Sequence, residues 1–150
     1  MDTDHSFAHD LGFLLSRASG VVARSASEAL APLGLRVRSY SVLAFAAEQD
    51  PGAPQRSLAQ TMALDPSQVV ALVDELEQQG FVTRTPDPGD RRNKLVTATE
   101  DGQRVLQRAS RVVRRAEDEH FAELPQQQVE QLRHVLRQVA FGPLGEPRSR

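Results

Sequence analysis

The sequence contains no cysteine. Disulfides, thiolate zinc sites, iron–sulfur clusters and thiol-based redox switches or nucleophiles are thereby excluded. No apolar run approaches the roughly 20 residues needed to span a bilayer as a helix. The opening Met-Asp-Thr-Asp-His-Ser is acidic and lacks the apolar stretch of a secretory leader. A cytoplasmic location without membrane contact is expected. A surplus of positive charge is missing too: 18 basic residues face 20 acidic ones, for a net charge of -2, so no global basic footprint marks a nucleic-acid partner. Lysine is nearly absent. Of the basic residues 17 are Arg and one is Lys94; the planar Arg fork suits carboxylates, phosphates and guanine edges, although GC-rich coding produces the same bias. No G-x-G-x-x-G, G-x-S-x-G, P-loop or H-E-x-x-H motif occurs, and no Ser/His/Asp spacing points to a triad. An enzyme is not expected.

What is present is ordinary for one globular domain: 150 residues, 39% hydrophobic and 25% charged. At this length folding hides roughly 68–70% of the unfolded surface, so a core forms without covalent staples. Residues 7–30 place Phe7, Leu11, Leu14, Leu15, Ala18, Val22, Ala26 and Leu30 on one stripe of a helix. Pro32 and Gly34 stop it. A short helix is expected over Ser41–Glu48, and Asp50-Pro51-Gly52-Ala53-Pro54 reads as a turn. Two capping-box patterns follow, Ser57 with Gln60 and Asp65 with Gln68, the second with Pro66 in the first helical position. The second helix runs to Gln79, with Val69, Leu72, Val73 and Leu76 inward and Gly80 beyond its end. Two capped helices joined tightly at Ala63-Leu64-Asp65 form a helix-turn-helix. Phe81–Thr85 and Leu95–Thr99 then alternate as strands around a charged loop holding Pro86 and Pro88. The expected fold is therefore mainly α, a winged helix-turn-helix with a two-stranded β wing. A long helix from Glu100 to about Glu123 and a last helix opened by Pro125 complete the chain. In the last helix Val129, Leu132, Leu136 and Val139 step three, four, three, like a coiled-coil seam. The tail after Phe141, rich in Gly and Pro, is expected to fray.

In the order and spacing of its pieces the sequence resembles the MarR family of bacterial winged-helix transcriptional regulators, over roughly residues 7–140. The resemblance rests on Leu58-Ala59, on Val73 to Val82, on Asp87-Pro88-Gly89-Asp90-Arg91-Arg92, and on Leu95-Val96-Thr97-Ala98-Thr99-Glu100-Asp101-Gly102. Ala98 stands where the family often has Leu. The resemblance implies one domain over residues 1–150, with a DNA-binding lobe at 36–99 and a helical dimerisation layer at 5–35 and 100–142. It further implies an obligate homodimer, triangular in outline, whose first and last helices interleave. Each protomer presents one winged helix to half of a palindromic operator. Many members are repressors released by small phenolic or carboxylate ligands that bind between the dimer layer and the DNA-binding lobe.

On that footing the helix from Pro66 enters the major groove, and a two-fold dimer meets half-sites about 34 Å apart. Ser67 and Gln68 are candidate readers there, since Gln pairs bidentately with adenine; the capping box competes for the same Gln68 side chain. Val69 is open to two roles, a thymine-methyl contact or a core contact. At the wing tip Arg92 is the candidate for a narrowed minor groove, with Asp90 accepting from it and holding it extended. A plain surface Asp–Arg pair is the bland alternative. Arg91 and Lys94 are expected on phosphates, as are Ser57, Arg56 and Thr61 from the first helix of the motif. From Arg84 to Lys94 four positive charges outnumber two negative ones, making the wing net basic. Arg104, Arg108, Arg111 and Arg115, with Arg114 nearby, fall on one side of the long helix, either as a basic flank or, more simply, as a solvated face balanced by Glu117, Asp118 and Glu119.

Candidate ligand-binding residues are Phe13, Arg17, Arg38 and Tyr40, as aromatic walls and guanidinium groups for a carboxylate. Each also has an ordinary packing or surface role, Tyr40 above all. Leu11, Val129, Leu132, Leu136 and Val139 are the dimerisation candidates. His5 with His9, and Glu117 with His120, have helical metal-pair spacing, but no metal or other cofactor is expected without cysteine support. A ligand-responsive repressor is the expected function. A protein–protein assembly module, favoured by the mild acidity, and a metal-responsive regulator are the alternatives.

Overall fold

Asp10 starts the first long helix. Its carboxylate accepts from the Phe13 N–H at 2.9 Å, capping α1 (Leu11–Leu30) after a 3-10 turn at Phe7–His9. The computed structural model describes residues 7–142; His5 and the tail beyond Gly142 lie outside them. A second 3-10 turn at Ala31–Leu33 ends on Gly34 at φ 70°, the left-handed position at which glycine carries no Cβ penalty.

Helix α2 (Val37–Glu48) begins four residues before the expected Ser41. The Ser39 hydroxyl accepts from the Arg36 N–H at 2.9 Å, so the helix start is satisfied from inside the helix rather than by a side chain at its cap. The Asp50–Pro54 stretch is not only a turn. Ala53–Pro54 forms β1, pairing antiparallel with β3 through Ala53 opposite Val96 and Pro54 opposite Leu95. The wing therefore belongs to a three-stranded sheet of order β1-β3-β2 rather than the two-stranded one expected. Pro54 sits on the edge, where its missing N–H breaks no ladder.

Because Pro54 is already the N-cap, α3 (Gln55–Met62) starts ahead of Ser57. Ser57 is thus a first-turn residue and not the capping residue that the box pattern suggested. The α3–α4 link turns on Ala63 at φ 50°, a left-handed conformation on a residue that carries a Cβ. The second box forms as expected: the Asp65 N–H donates to Gln68 Oε1 at 3.1 Å, and Pro66 opens α4 (Pro66–Gln78). Helix α4 closes with the Gly80 N–H on the Glu77 carbonyl at 3.0 Å and the Phe81 N–H on the Leu76 carbonyl at 2.9 Å. With Gly80 at φ 78° this is a Schellman motif.

Strands β2 (Val82–Pro86) and β3 (Lys94–Ala98) pair from Val82 opposite Ala98 to Pro86 opposite Lys94. Thr99 then joins the lobe to the long helix α5 (Glu100–His120). Its hydroxyl donates to the Gly80 carbonyl at 2.6 Å and accepts from the Gly102 N–H at 3.0 Å. Gly102 is obligatory in this joint, because a Cβ there would lie 1.9 Å from the Phe81 carbonyl oxygen. Helix α5 ends three residues before Glu123, and α6 (Gln126–Phe141) follows, N-capped by Pro125.

One core joins α2, α3, α4 and the sheet, centred on Leu43, Leu58, Val69, Leu76 and Val96, with Leu30 from α1 and Ala109 from α5. Two segments stand apart from it. Residues 11–20 of α1 are exposed throughout, and α6 has no buried residue. Both carry large apolar side chains into solvent, among them Leu11, Leu15, Leu132, Val135, Leu136 and Val139.

Candidate nucleic-acid interface

Helix α4 has one buried and one open face. Val69, Leu72, Val73 and Leu76 are buried, at the three- and four-residue steps of a core stripe. Of the two roles open to Val69 the structure shows the core one: the residue is 0% exposed and has no surface to offer a base. The valine that does face outward is Val70, at 40% exposure, alongside exposed Ser67, Gln68, Ala71 and Asp74. The phase of the buried stripe carried that signal, since at about 100° per residue Val70 lies roughly a third of a turn round the helix from the centre of the Val69, Leu72, Val73 and Leu76 face.

Gln68 is half committed. Its Oε1 accepts from the Asp65 N–H, whereas the adenine pair needs Oε1 as acceptor and Nε2 as donor together. While the box is closed, the Asp65 N–H takes one Oε1 lone pair and fixes the direction of the amide, so the bidentate pair competes with the cap.

The wing loop is shaped by two aspartates acting on backbone. Asp87 Oδ1 accepts from the Gly89 N–H at 2.8 Å. Asp90 Oδ1 accepts from the Arg92 N–H at 3.0 Å, and Asp90 Oδ2 takes the Asn93 amide at 3.3 Å. The expected Asp90 contact to the Arg92 guanidinium is therefore replaced by an Asx-type turn. The consequence favours binding: the acid fixes the loop and leaves the guanidinium uncommitted. Among the described residues Arg91, Arg92 and Lys94 enter no salt bridge, and all three are exposed.

Arg84 behaves oppositely and does not belong with the wing's free charge. Its side chain, 17% exposed, donates to Asp74 at 2.6 Å, Glu77 at 2.5 Å and Gln55 at 3.0 Å. One guanidinium thus ties β2 to α4 and α3, fixing the angle between recognition helix and wing. Removing Arg84 from the count leaves Arg91, Arg92 and Lys94 against Asp87 and Asp90, still net basic. Sequence reasoning missed this role, because the partners lie seven, ten and 29 residues away. A second tie runs from Arg36 at the start of α2 to Glu75 of α4.

On α3 Thr61 and Arg56 are exposed and Ser57 is half-buried. Arg56 enters no salt bridge among the described residues. It borders an open groove between α3 and α4 with Gln55, Ala59, Gln60, Leu64, Pro66 and Val70. The Arg side of α5 is a solvated face, but of the expected balancing acids only Glu119 pairs among the described residues, with Arg115 at 3.0 Å; Arg104 pairs instead with Glu100 at 3.1 Å and with Asp101.

The four ligand candidates are spread over α1 and α2. Phe13 packs edge-on against Phe7, with ring centroids 4.9 Å apart. Arg17 and Arg38 are exposed, and Tyr40 is half-buried against the core. Burial raises the Tyr40 phenol pKa above its ordinary value, and the carboxylates of Glu117 and Glu48 add to this while Arg114 opposes it. Tyr40 therefore keeps its phenol proton. No hydrogen bond or ion pair joins these four side chains to one another among the described residues. No group of three His, Cys, Asp or Glu side chains gathers among the described residues as a metal site would require; His9 and the Glu117–His120 pair are within them and His5 is not.

Known proteins share this architecture. The family model described as "MarR family" matches residues 35–94, from just after the Ala31–Leu33 turn to the first residue of β3. The chain is 30% identical over 129 residues to the HTH-type transcriptional repressor Rv2887 of Mycobacterium tuberculosis, covering 86% of this chain and 92% of that protein. It is 51% identical to CouR from Rhodococcus jostii RHA1, solved with p-coumaroyl-CoA bound, covering 92% and 96% of the two chains at a TM-score of 0.82. A transcriptional repressor named CouR and bound to a 23-mer DNA duplex is 29% identical, covering 93% and 99%, at a TM-score of 0.80.

Proposed function

The chain belongs to the MarR family, and from that premise we propose that it is a homodimeric transcriptional repressor that binds a palindromic DNA operator and is released by a small effector. The carrying observation is the wing: Arg91 and Arg92 on a loop held by Asp87 and Asp90, and Lys94 at the start of β3, all free of ion pairs among the described residues and locked at a set angle to an open-faced α4. Arg92 enters the minor groove beside each half-site, while Arg91, Lys94, Arg56, Ser57 and Thr61 hold phosphates and set register. Ser67, Gln68 and Val70 face the major groove; Val69 supports them from the core.

Residues 36–99 serve as the DNA-binding lobe. The apolar seam on α1 and α6, open at Leu11, Leu132, Leu136 and Val139 and half-buried at Val129, is the dimer layer, because a single protomer leaves most of it in water. No helix among the described residues is long and apolar enough to cross a membrane. The relatives are transcriptional regulators, and we assign no catalytic residue; a repressor of this kind works in the cytoplasm, where its operator is.

For the effector we propose a phenolic acyl group, free or as its CoA thioester, as supported by the p-coumaroyl-CoA held by the 51% identical CouR. Phe13 and Tyr40 supply aromatic wall and hydroxyl donor, and Arg17 and Arg38 meet a carboxylate or phosphate.

An electrophoretic shift with the promoter of its own gene, over a salt series, tests the reading. Affinity is expected to fall steeply with salt as phosphate-bound counterions are released. Binding that ignores salt, or no shift at all, sinks it in favour of an assembly module. Adding p-coumaroyl-CoA is expected to reverse the shift.

A further inference from the structure

We propose that Val70 is a specificity-determining residue that reads the C5-methyl group of a thymine in the major groove; this rests on the DNA-binding reading above. Val70 is the one large apolar residue of α4 outside its buried face, 40% exposed one turn beyond Pro66. It borders the groove whose apolar walls are Ala59, Leu64 and Pro66 and whose polar rim carries Gln55, Arg56 and Gln60. The groove is lined by α3, the α3–α4 link and α4 alone, so the apolar seam of α1 and α6 does not supply its cover.

The surroundings decide the occupant. The groove shares Val70 with the open side of α4, and its rim holds Arg56, which has no carboxylate partner among the described residues and can meet a backbone phosphate. A phosphate held there fixes the register in which a base edge meets Val70. Of the four bases only thymine presents a methyl group on its major-groove edge. An exposed valine adds nothing to a hydrogen-bond code but seats a methyl well, and two-fold symmetry repeats the contact in each half-site.

The size of the effect follows from the group removed. A buried methyl-sized group contributes about 0.8 kcal/mol, which is about fourfold in affinity at 1.4 kcal/mol per tenfold. Both half-sites together give about fifteenfold. The test begins with duplexes selected by the full-length protein from a random pool. The tightest duplex is remade with 2′-deoxyuridine at each symmetric thymine pair in turn, and dissociation constants are read by fluorescence anisotropy. One pair is expected to lose about fifteenfold with the unaltered protein. For Val70→Ala, checked for folding by circular dichroism, thymine and deoxyuridine duplexes are expected to bind nearly alike, whereas Val70→Ile retains the preference. Equal binding of all deoxyuridine duplexes by the unaltered protein overturns the proposal, as does an undiminished preference in Val70→Ala. Failure to enrich or bind any duplex strikes the DNA-binding reading itself.

Discussion

Arg84→Ala is the perturbation that probes the interface most sharply without touching a DNA-facing side chain. It removes a guanidinium that is 17% exposed and bonded to Asp74, Glu77 and Gln55. Hydrogen bonds to charged groups contribute about 1.5–3 kcal/mol each when shielded. Asp74 and Glu77 are 51% and 42% exposed, so water screens both and about 1 kcal/mol apiece is the fitting figure. With the further bond to the uncharged Gln55 amide, the loss is about 2–3 kcal/mol. At about 2–4 °C per kcal/mol for a chain of this size, the melting temperature should fall by roughly 4–12 °C. Urea titration at fixed protein concentration is the assay, because a dimer's apparent stability depends on concentration. The midpoint should drop with an unchanged m value. Operator affinity should fall further than stability alone explains, since α4 and the wing lose their common strut and two carboxylates are freed at the interface. Arg84→Lys keeps the charge but not the fork, and should lie between. An Arg84→Ala protein with unaltered urea midpoint would show that the three bonds do not act as a strut.

Other predictions follow from single joints. Gly102→Ala drives a Cβ to 1.9 Å from the Phe81 carbonyl oxygen; a loss of at least about 2 kcal/mol is expected on urea unfolding, and a native-like midpoint would mean that the joint yields. Ala63 sits at φ 50°, so Ala63→Gly is expected to stabilise by about 0.5–1 kcal/mol after the added chain entropy is deducted, readable as a higher midpoint. Leu132→Asp or Leu136→Asp places charge in the open α6 seam and should convert dimer to monomer in the ultracentrifuge, where a persistent dimer would remove that seam from the assembly.

The parts of the molecule legible in the sequence are those fixed by local chemistry. The Asp65–Gln68 box, Pro66, Gly80 and the alternation of β2 and β3 are short-range signals, and α4 runs over nearly the range that they mark. The start of α2 was hidden because Ser39 caps it from within. Strand β1 was hidden because Ala53–Pro54 has no strand propensity and is held by its partner β3. At the interface, the loop-shaping role of Asp90 was half visible: its spacing to Arg92 was plain, but whether it meets the guanidinium or the N–H depends on loop geometry. The Arg84 strut was invisible for a different reason, since its acceptors come from two other elements. Exposure separated Val70 from Val69, although the buried phase of α4 already implied it.

The measurement that bears most directly on paired recognition is a hydroxyl-radical footprint on the selected operator, with the unaltered protein and with Arg92→Ala. The unaltered protein should protect two symmetric sets of backbone positions, their centres about 34 Å apart along one face of the duplex, each flanked by a protected minor-groove tract. Arg92→Ala should lose those flanking tracts and about 1–3 kcal/mol of affinity while keeping the central protection. A single unsymmetrical patch, or flanking tracts unchanged by the substitution, would contradict a dimer that grips its operator with two arginine-tipped wings.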